Sequence, residues 1–199
     1  MYRVDLGPCA GLVHEHDPER WVVVLPGMQY STQAPLLWFA REAAAARGFS
    51  VLEVLDALPD GAEPLGWARD RARRALERAG ADAGAGGRLV VVGKSLASAA
   101  AGIVADAVLP AVWLTPLLNR PRVVDEIARA SRPALLVGGS ADEAWRPDAL
   151  PDSGLLEVVH LDGLDHSLQR PGDPAASLQA LAHVTDRIGR FLDAGPVAG

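Results

Sequence analysis

Short, continuous apolar runs recur along the chain, and Gly, Pro, Asp or Asn residues bound them. The first clear run covers residues 21–25 and ends at Pro26. Such a run is typical of a strand that is buried on both faces of a parallel sheet, where neither side of the strand meets water. The pattern predicts six core strands, at residues 21–25, 51–55, 89–92, 111–114, 134–137 and 155–161.

Segments with helical spacing of their apolar residues lie between these runs. They predict helices at residues 35–47, 65–79, 96–108, 122–130 and 175–192. Because strands and helices alternate, we expect βαβ crossovers and a mostly parallel α/β sheet with helices on both faces. One or two further edge strands within residues 1–16 would give a sheet of about six to seven strands.

The whole chain, residues 1–199, is interpreted as one domain with its core at about residues 21–192. A length of 199 residues and a hydrophobic content of 49% suffice to bury one substantial core. Residues 79–87 are rich in Gly and Ala, which predicts a flexible connection. The last five residues, 195–199, are expected to fray.

Composition and charge limit the classes of binding partner and the cellular location that we expect for the protein. The net charge is −6, and the one dense basic stretch, residues 69–78, has the spacing of a solvated helix face, so we expect no nucleic-acid partner. Cys9 is the only cysteine, so an intrachain disulfide is excluded. The first residues are too charged for a signal peptide, and the longest apolar segment is interrupted by Asp106, which predicts a cytoplasmic protein without membrane contact.

The strand predicted at residues 89–92 runs directly into the sequence GKSLA at residues 93–97 and then into an Ala-rich helix. This order is that of a nucleophile elbow, a sharp strand-to-helix turn that presents a serine hydroxyl. The serine of such a turn has a strained backbone, so the residues two before it and two after it must be small. Gly93 and Ala97 meet that requirement, and Ser95 is therefore the candidate nucleophile.

A phosphate-binding P-loop, G-x-x-x-x-G-K-[ST], also ends in the residues that Gly93, Lys94 and Ser95 provide. That motif requires a glycine at position 88, where this chain has Arg88. It also requires a glycine-rich loop before the lysine, whereas here apolar strand residues continue up to Gly93. The sequence therefore favours the elbow over a nucleotide site.

A serine hydroxyl needs a general base to remove its proton, and the base needs a carboxylate to orient it. Asp142 and His166 provide these groups, each on a loop that follows a predicted strand. Ser95, Asp142 and His166 thus all follow the carboxyl ends of parallel strands, which is the edge where open α/β sheets bind their ligands. Their order along the chain, Ser, Asp, His, is that of α/β-type hydrolases.

Other residues could fill the two partner roles. Glu143, next to Asp142, and Asp165, next to His166, are alternative carboxylates. The alternative histidines lie before the first core strand, within a strand or within a helix, where packing or surface roles are more common: His14, His16, His160 and His183.

A second oxyanion donor should come from the loop after the first core strand. The backbone N–H of Gly27 or Met28, together with that of Leu96, would bind the negative oxygen of a tetrahedral intermediate. Gln29 and Tyr30 follow in the same loop and are candidates for the pocket lining, although a plain helix-entry loop would explain them equally well.

Lys94 is a further candidate for the pocket. It is the one lysine of the chain, since the other basic residues among the 19 are all arginines. A lysine retained beside Ser95 points to a local role for its compact ammonium group.

These motifs resemble the α/β-hydrolase superfamily, and in particular its small bacterial members that have no lid. Those members carry a Pro-Gly-x-x-Tyr-Ser loop, a Gly- or Ser-Lys-Ser elbow and a Leu-Thr-Pro-Leu segment. Here the corresponding residues are 26–31, 93–95 and 114–117. The chain differs from the common pattern at Ala97, which replaces the second glycine of the elbow.

The resemblance covers residues 21–192 and implies an α/β-hydrolase fold without a cap domain. It implies Ser95 as nucleophile, Asp142 as acid and His166 as base. We therefore expect a hydrolase that cleaves a small carboxylic ester or thioester through an acyl-enzyme intermediate, with a small-molecule acyl substrate as partner and without a metal or cofactor. Two alternatives use the same scaffold: an amidase or peptidase, and a binding or biosynthetic protein that forms no acyl-enzyme.

Overall fold

The structure, a computed structural model, describes residues 1–55 and 58–194, which contain eight strands and five α-helices. The strands are β1 Tyr2–Asp5, β2 Ala10–His14, β3 Asp17–Leu25, β4 Phe49–Val54, β5 Arg88–Lys94, β6 Ala111–Leu114, β7 Ala134–Gly139 and β8 Leu156–Leu161. The α-helices are α1 Pro35–Ala45, α2 Pro64–Ala83, α3 Ala101–Asp106, α4 Pro121–Ala128 and α5 Pro174–Ala194. The tail expected to fray, residues 195–199, lies outside the described residues.

The described strands form one sheet in the order β1-β2-β4-β3-β5-β6-β7-β8. Strands β3 to β8 are parallel to one another, and β1 and β2 form an antiparallel hairpin that adds to the edge at β4. The predicted mostly parallel α/β sheet is confirmed. The sheet has eight strands rather than six or seven, because both segments of the N-terminal hairpin pair with neighbours.

The hydrophobic core has two layers, one on each face of the sheet. Strand β3 shows the alternation, because Val22 and Val24 pack in the layer of α1 and α5, whereas Trp21 and Val23 pack in the layer of α2, α3 and α4. Successive side chains of a strand point to opposite faces, so a continuous apolar run supplies both layers. This explains why the runs in the sequence predict a sheet with helices on both faces.

Strand β8 is less buried than its apolar sequence predicts. Glu157, Val158 and His160 are exposed, and no residue of the strand is fully buried. The reason is its place at the end of the sheet, where β7 is its one neighbour among the described strands. Charged and polar residues on such a strand also discourage pairing with other chains.

Two helical predictions need correction. Helix α2 does not end at residue 79 but continues to Ala83, because Ala79 and Ala83 both pack in the core, and Gly84, with φ of 71°, ends it. The flexible connection expected at residues 79–87 is therefore mostly helix. The helix expected at residues 96–108 begins as a 3₁₀-helix at Ser95–Ala100 and becomes α-helical only in α3.

Among the described residues, no cap domain covers the carboxyl edge of the parallel strands. Residues 115–133, which connect β6 to β7, contain only the short helix α4 and turns. Within residues 1–55 and 58–194, the helices are too short or too polar to span a bilayer.

Candidate active site

Ser95 stands on a sharp turn at the end of β5. Its φ is 51°, in the left-handed region that residues with side chains seldom adopt. A Cβ atom on Gly93 would lie 2.7 Å from Cζ3 of Trp113 and 2.9 Å from Cβ of Ala97. The turn therefore accepts only glycine at position 93 and is crowded at Ala97, which explains locally why the sequence has small residues on both sides of Ser95.

Ser98, which the sequence motifs do not indicate, stabilises this turn through its hydroxyl group. Its side chain is fully buried, and its Oγ donates a hydrogen bond to the backbone carbonyl of Ser95 at 2.7 Å. The same oxygen accepts a hydrogen bond from the amide of Leu117 at 3.0 Å. The serine turn is thus joined to the segment after β6 through a single hydroxyl.

The structure brings Ser95, Asp142 and His166 together. Nε2 of His166 lies 2.7 Å from Oγ of Ser95, and Nδ1 of His166 lies 2.7 Å from Oδ2 of Asp142. The Asp142 side chain is 3% exposed, whereas that of His166 is 40% exposed. The carboxylate is therefore shielded, and the partly exposed imidazole connects it to the hydroxyl of Ser95, a residue that is only 8% exposed.

Asp142 lies in the acid loop, residues 140–146, which follows β7. Its Oδ1 accepts a hydrogen bond from the amide of Ala144 at 2.9 Å, which leaves Oδ2 for the imidazole. A Cβ on Gly138 would lie 2.1 Å from the Trp145 ring, so the glycine lets this loop fold back over the end of β7.

His166 lies in the histidine loop, residues 162–169, which follows β8. Asp165 organises this loop, because its Oδ1 accepts hydrogen bonds from the amides of Ser167 at 2.8 Å and Gln169 at 3.0 Å. An aspartate that accepts from amides two and four residues onward stabilises a turn, and the turn here contains His166. Asp165 therefore shapes the histidine loop and is not the carboxylate that contacts the imidazole.

The acid loop and the histidine loop are joined directly. The amide of Ala141 donates to the carbonyl of Leu164 at 3.0 Å, and the amide of Gly163 donates to Oγ of Ser140 at 2.7 Å. A Cβ on Gly139 would lie only 2.1 Å from that Leu164 carbonyl oxygen. The absence of a side chain at position 139 is what allows the two loops to lie this close.

The alternative residues have other surroundings. Glu143 is exposed. Nε2 of His14 contacts Glu53 at 2.7 Å, and Nδ1 of His160 accepts from Nε1 of Trp145 at 2.9 Å. The remaining two histidines, His16 and His183, are exposed.

The predicted oxyanion donors do not all remain available. The Gly27 amide donates a hydrogen bond to the carbonyl of Tyr30 at 3.0 Å. Because this N–H is already used within the turn, the structure does not support Gly27 as the oxyanion donor. Of the two residues predicted in that loop, Met28 is the remaining candidate. Leu96 precedes the first amide that can donate within its 3₁₀-helix, so its N–H is not needed for helical hydrogen bonding.

Tyr30 and Lys94 lie together behind the histidine loop. Nζ of Lys94 is 4.6 Å from the centroid of the Tyr30 ring and donates to the backbone carbonyl of His166 at 3.0 Å. Burial lowers the pKa of Lys94 to about 8, against the opposing effect of the Asp142 and Asp165 carboxylates. Burial also raises the pKa of the Tyr30 phenol, whose oxygen accepts from the Leu36 amide.

A cavity of about 450 Å³ adjoins the histidine loop, and Tyr30 forms part of its wall. Leu36, Leu168 and Leu181 add apolar surface from α1, the histidine loop and α5. Lys94 does not line this cavity, and Gln29, which is exposed, does not either. Neither Ser95 nor His166 lines it, so this cavity does not test the three predicted pocket residues, of which only Tyr30 lies in its wall.

A site for a metal ion requires several converging ligands. In the part of the chain that the structure describes, no three His, Cys, Asp or Glu side chains converge in this way.

Solved structures with the same fold span nearly the whole chain. Est1E from Butyrivibrio proteoclasticus matches with a TM-score of 0.74 at 13% identity, over 96% of this chain and 96% of that chain. XC6422 from Xanthomonas campestris, described as a serine hydrolase without a lid, matches with a TM-score of 0.71 at 16% identity, over 96% and 90%. A monoacylglycerol lipase from Paleococcus ferrophilus matches with a TM-score of 0.65 at 14% identity, over 96% and 99%.

No family model matches the chain, and comparison with curated proteins finds no match in sequence. The structural likenesses nevertheless agree on one fold. The chain has the fold of the α/β hydrolases, in the form without a lid. At 13–16% identity these likenesses concern the fold, and the chemistry of the site has to be argued from its own residues.

Proposed function

We propose that this protein is a serine hydrolase that cleaves a small carboxylic ester or thioester through an acyl-enzyme intermediate. The observation that carries the proposal is the pair of 2.7 Å contacts that His166 makes, one to Ser95 and one to Asp142. A strained serine, a histidine within hydrogen-bond distance of it and a shielded carboxylate behind the histidine together form the arrangement that activates a hydroxyl.

In the first half-reaction Ser95 Oγ attacks the carbonyl carbon of the substrate. His166 Nε2 accepts the hydroxyl proton, while Nδ1–H donates to Asp142 and holds the ring in the required tautomer. The amides of Met28 and Leu96 would bind the carbonyl oxygen as it becomes negative. The imidazolium then returns the proton to the departing alcohol or thiol, and the acyl group remains on Ser95.

In the second half-reaction water replaces the departed alcohol or thiol. His166 removes a proton from the water, the resulting hydroxide attacks the acyl carbon, and the proton passes to Ser95 Oγ as the carboxylic acid leaves. The exposed face of His166 gives water direct access to this step.

An ester or a thioester fits the site better than an amide. Alcohols and thiols leave more readily than amines, so an open site without a lid can act on them without enclosing the substrate. The comparison structures include a lipase named for monoacylglycerol, which is an ester. Both considerations support an ester or thioester as the substrate.

The test is reaction of the purified protein with a fluorophosphonate and with p-nitrophenyl acetate. We expect one covalent adduct on Ser95 by peptide mass spectrometry and ester hydrolysis that Ser95→Ala lowers by at least about 10⁴-fold. Ser131→Ala is the matched control, because Ser131 is exposed and lies before β7, at the opposite edge of the sheet.

Hydrolysis by Ser95→Ala at the wild-type rate would refute the assignment of the nucleophile. If neither the adduct nor hydrolysis appears in the wild type, a binding protein on this scaffold becomes the better explanation. Comparison of p-nitroanilide with p-nitrophenyl substrates separates an amidase from an esterase, and faster cleavage of the anilide would contradict the proposed preference.

A further inference from the structure

Lys94 is the residue directly before the candidate nucleophile, and only 2% of it is exposed. Its Nζ reaches away from β5 to the carbonyl oxygen of His166, 3.0 Å away, and packs on the Tyr30 ring. The nucleophile strand and the histidine loop, which are far apart in the sequence, are therefore connected by one side chain. That side chain carries the only lysine ammonium of the chain.

The stability of the fold does not explain an ammonium at this position. Burial lowers the pKa of Lys94 from 10.5 to about 8, so between these values the unfolded chain binds more protons than the folded one. Stability therefore rises as the pH increases from about 8 towards 10.5, and the buried charge is a cost at neutral pH. A charge that weakens the fold needs another reason to be there.

The geometry of the histidine loop supplies that reason. On one side, the Ala141 amide of the acid loop holds the carbonyl of Leu164. On the other side, Lys94 holds the carbonyl of His166, which belongs to the same residue as the imidazole. The backbone of the base is thus fixed with respect to β5, the strand that ends at Ser95.

We propose that Lys94 is a positioning residue, whose ammonium ties the histidine loop to the nucleophile strand and keeps His166 within hydrogen-bond distance of Ser95. This inference rests on the proposed hydrolase function. The contact should make the hydrolytic activity sensitive to alkaline pH, because the neutral amine donates a weaker hydrogen bond than the ammonium.

The groups around Lys94 allow its titration to be distinguished from theirs. The charged groups that act on its ammonium are the carboxylates of Asp142 and Asp165. The third neighbour, Tyr30, has its pKa raised above 10.0 by burial and so stays neutral while Lys94 titrates.

The experiment compares Lys94→Met and Lys94→Arg with the wild type. Arg88→Met is the matched control, because it removes one positive charge from the opposite, exposed end of the same strand. Three quantities are measured: kcat/KM for p-nitrophenyl acetate from about pH 6.5 to about pH 9.5 with Ser95→Ala as the blank, the melting temperature, and hydrogen–deuterium exchange of residues 162–169.

For Lys94→Met we expect kcat/KM at neutral pH to fall about tenfold, since a charged hydrogen bond is lost. Its melting temperature should rise, and exchange in the histidine loop should become faster. The wild type should lose about fivefold in kcat/KM as the pH passes through 8. This loss should be absent in Lys94→Met and in Lys94→Arg, whose guanidinium keeps its charge. Arg88→Met should match the wild type throughout.

Wild-type activity in Lys94→Met, or an alkaline loss that persists in it, would overturn the proposal. Unchanged exchange of residues 162–169 would overturn it as well. If the wild type itself neither hydrolyses the ester nor reacts with the fluorophosphonate, the hydrolase function has failed. The exchange measurement then decides separately whether Lys94 holds the loop.

Discussion

Replacement of Gly139 by alanine tests how the distance between acid and base is set. The new Cβ would lie 2.1 Å from the carbonyl oxygen of Leu164, whereas ordinary contacts begin at 3.4 Å. Leu164 and the acid loop must therefore move apart by more than 1 Å. That movement stretches the Ala141–Leu164 hydrogen bond and displaces His166, two residues further on, from Asp142.

The expected consequences follow from this displacement. A 1 Å error in the position of a catalytic group costs about 10²-fold in rate, so kcat should fall by about 10²-fold while KM changes little. Overpacking of this kind also costs about 1–3 kcal/mol of the free energy of unfolding, which leaves most of the molecules folded. Activity should thus suffer more than stability.

The assay combines steady-state hydrolysis of p-nitrophenyl acetate with urea unfolding followed by circular dichroism. Gly154→Ala is the control, since a Cβ at that glycine meets no atom within 4 Å, and both quantities should stay near their wild-type values. If Gly139→Ala unfolds with reduced stability but retains wild-type kcat, then the close contact of the two loops does not set the catalytic distance, and the reasoning is refuted.

Two further changes test the acid and the core. Asp142→Asn should lower kcat by about 10³–10⁴-fold, because an amide cannot hold the imidazole in the required tautomer. Glu143→Gln, at the exposed neighbouring carboxylate, should stay near the wild type, and equal effects in the two variants would exclude Asp142 as the acid. Glu53→Ala should lower the free energy of unfolding by about 3–5 kcal/mol, since Glu53 is fully buried and pairs with Arg41 at 3.1 Å. Urea unfolding measures the loss, and a value below about 1 kcal/mol would contradict it.

The sequence predicts the parallel part of the sheet well because a strand buried on both faces leaves a continuous apolar run. The same pattern overestimates the burial of β8, since an apolar run does not show whether a strand has one neighbour or two. It also ends α2 too early, because Gly80 reads as a helix breaker although the helix continues across it to Ala83. In both cases the tertiary neighbours, which a local pattern does not contain, decide the outcome.

The candidate site also has features that the local sequence predicts and features that only tertiary contacts decide. Ser95, Asp142 and His166 can be found from the sequence because each must follow the carboxyl end of a strand, and the structure places the three side chains in contact. The hydrogen bond from the Gly27 amide to Tyr30 and the two hydrogen bonds of the Ser98 hydroxyl depend on loop conformations. The local sequence does not determine these conformations. The contact between Lys94 and the His166 carbonyl depends on how the last loop crosses the end of β5, so only its unusual residue type gave a signal.

The strand order has a consequence for newly synthesised chains. The centre of the sheet forms when β3 pairs with β5, as Val22 does with Val90, a non-local contact that makes folding slow. Synthesis proceeds from the amino terminus, so β7 and β8 are the last strands to leave the ribosome. A nascent chain therefore carries its serine before it carries the acid and the base. Under the proposed function, Ser95 would therefore lack its base until β8 has joined the sheet.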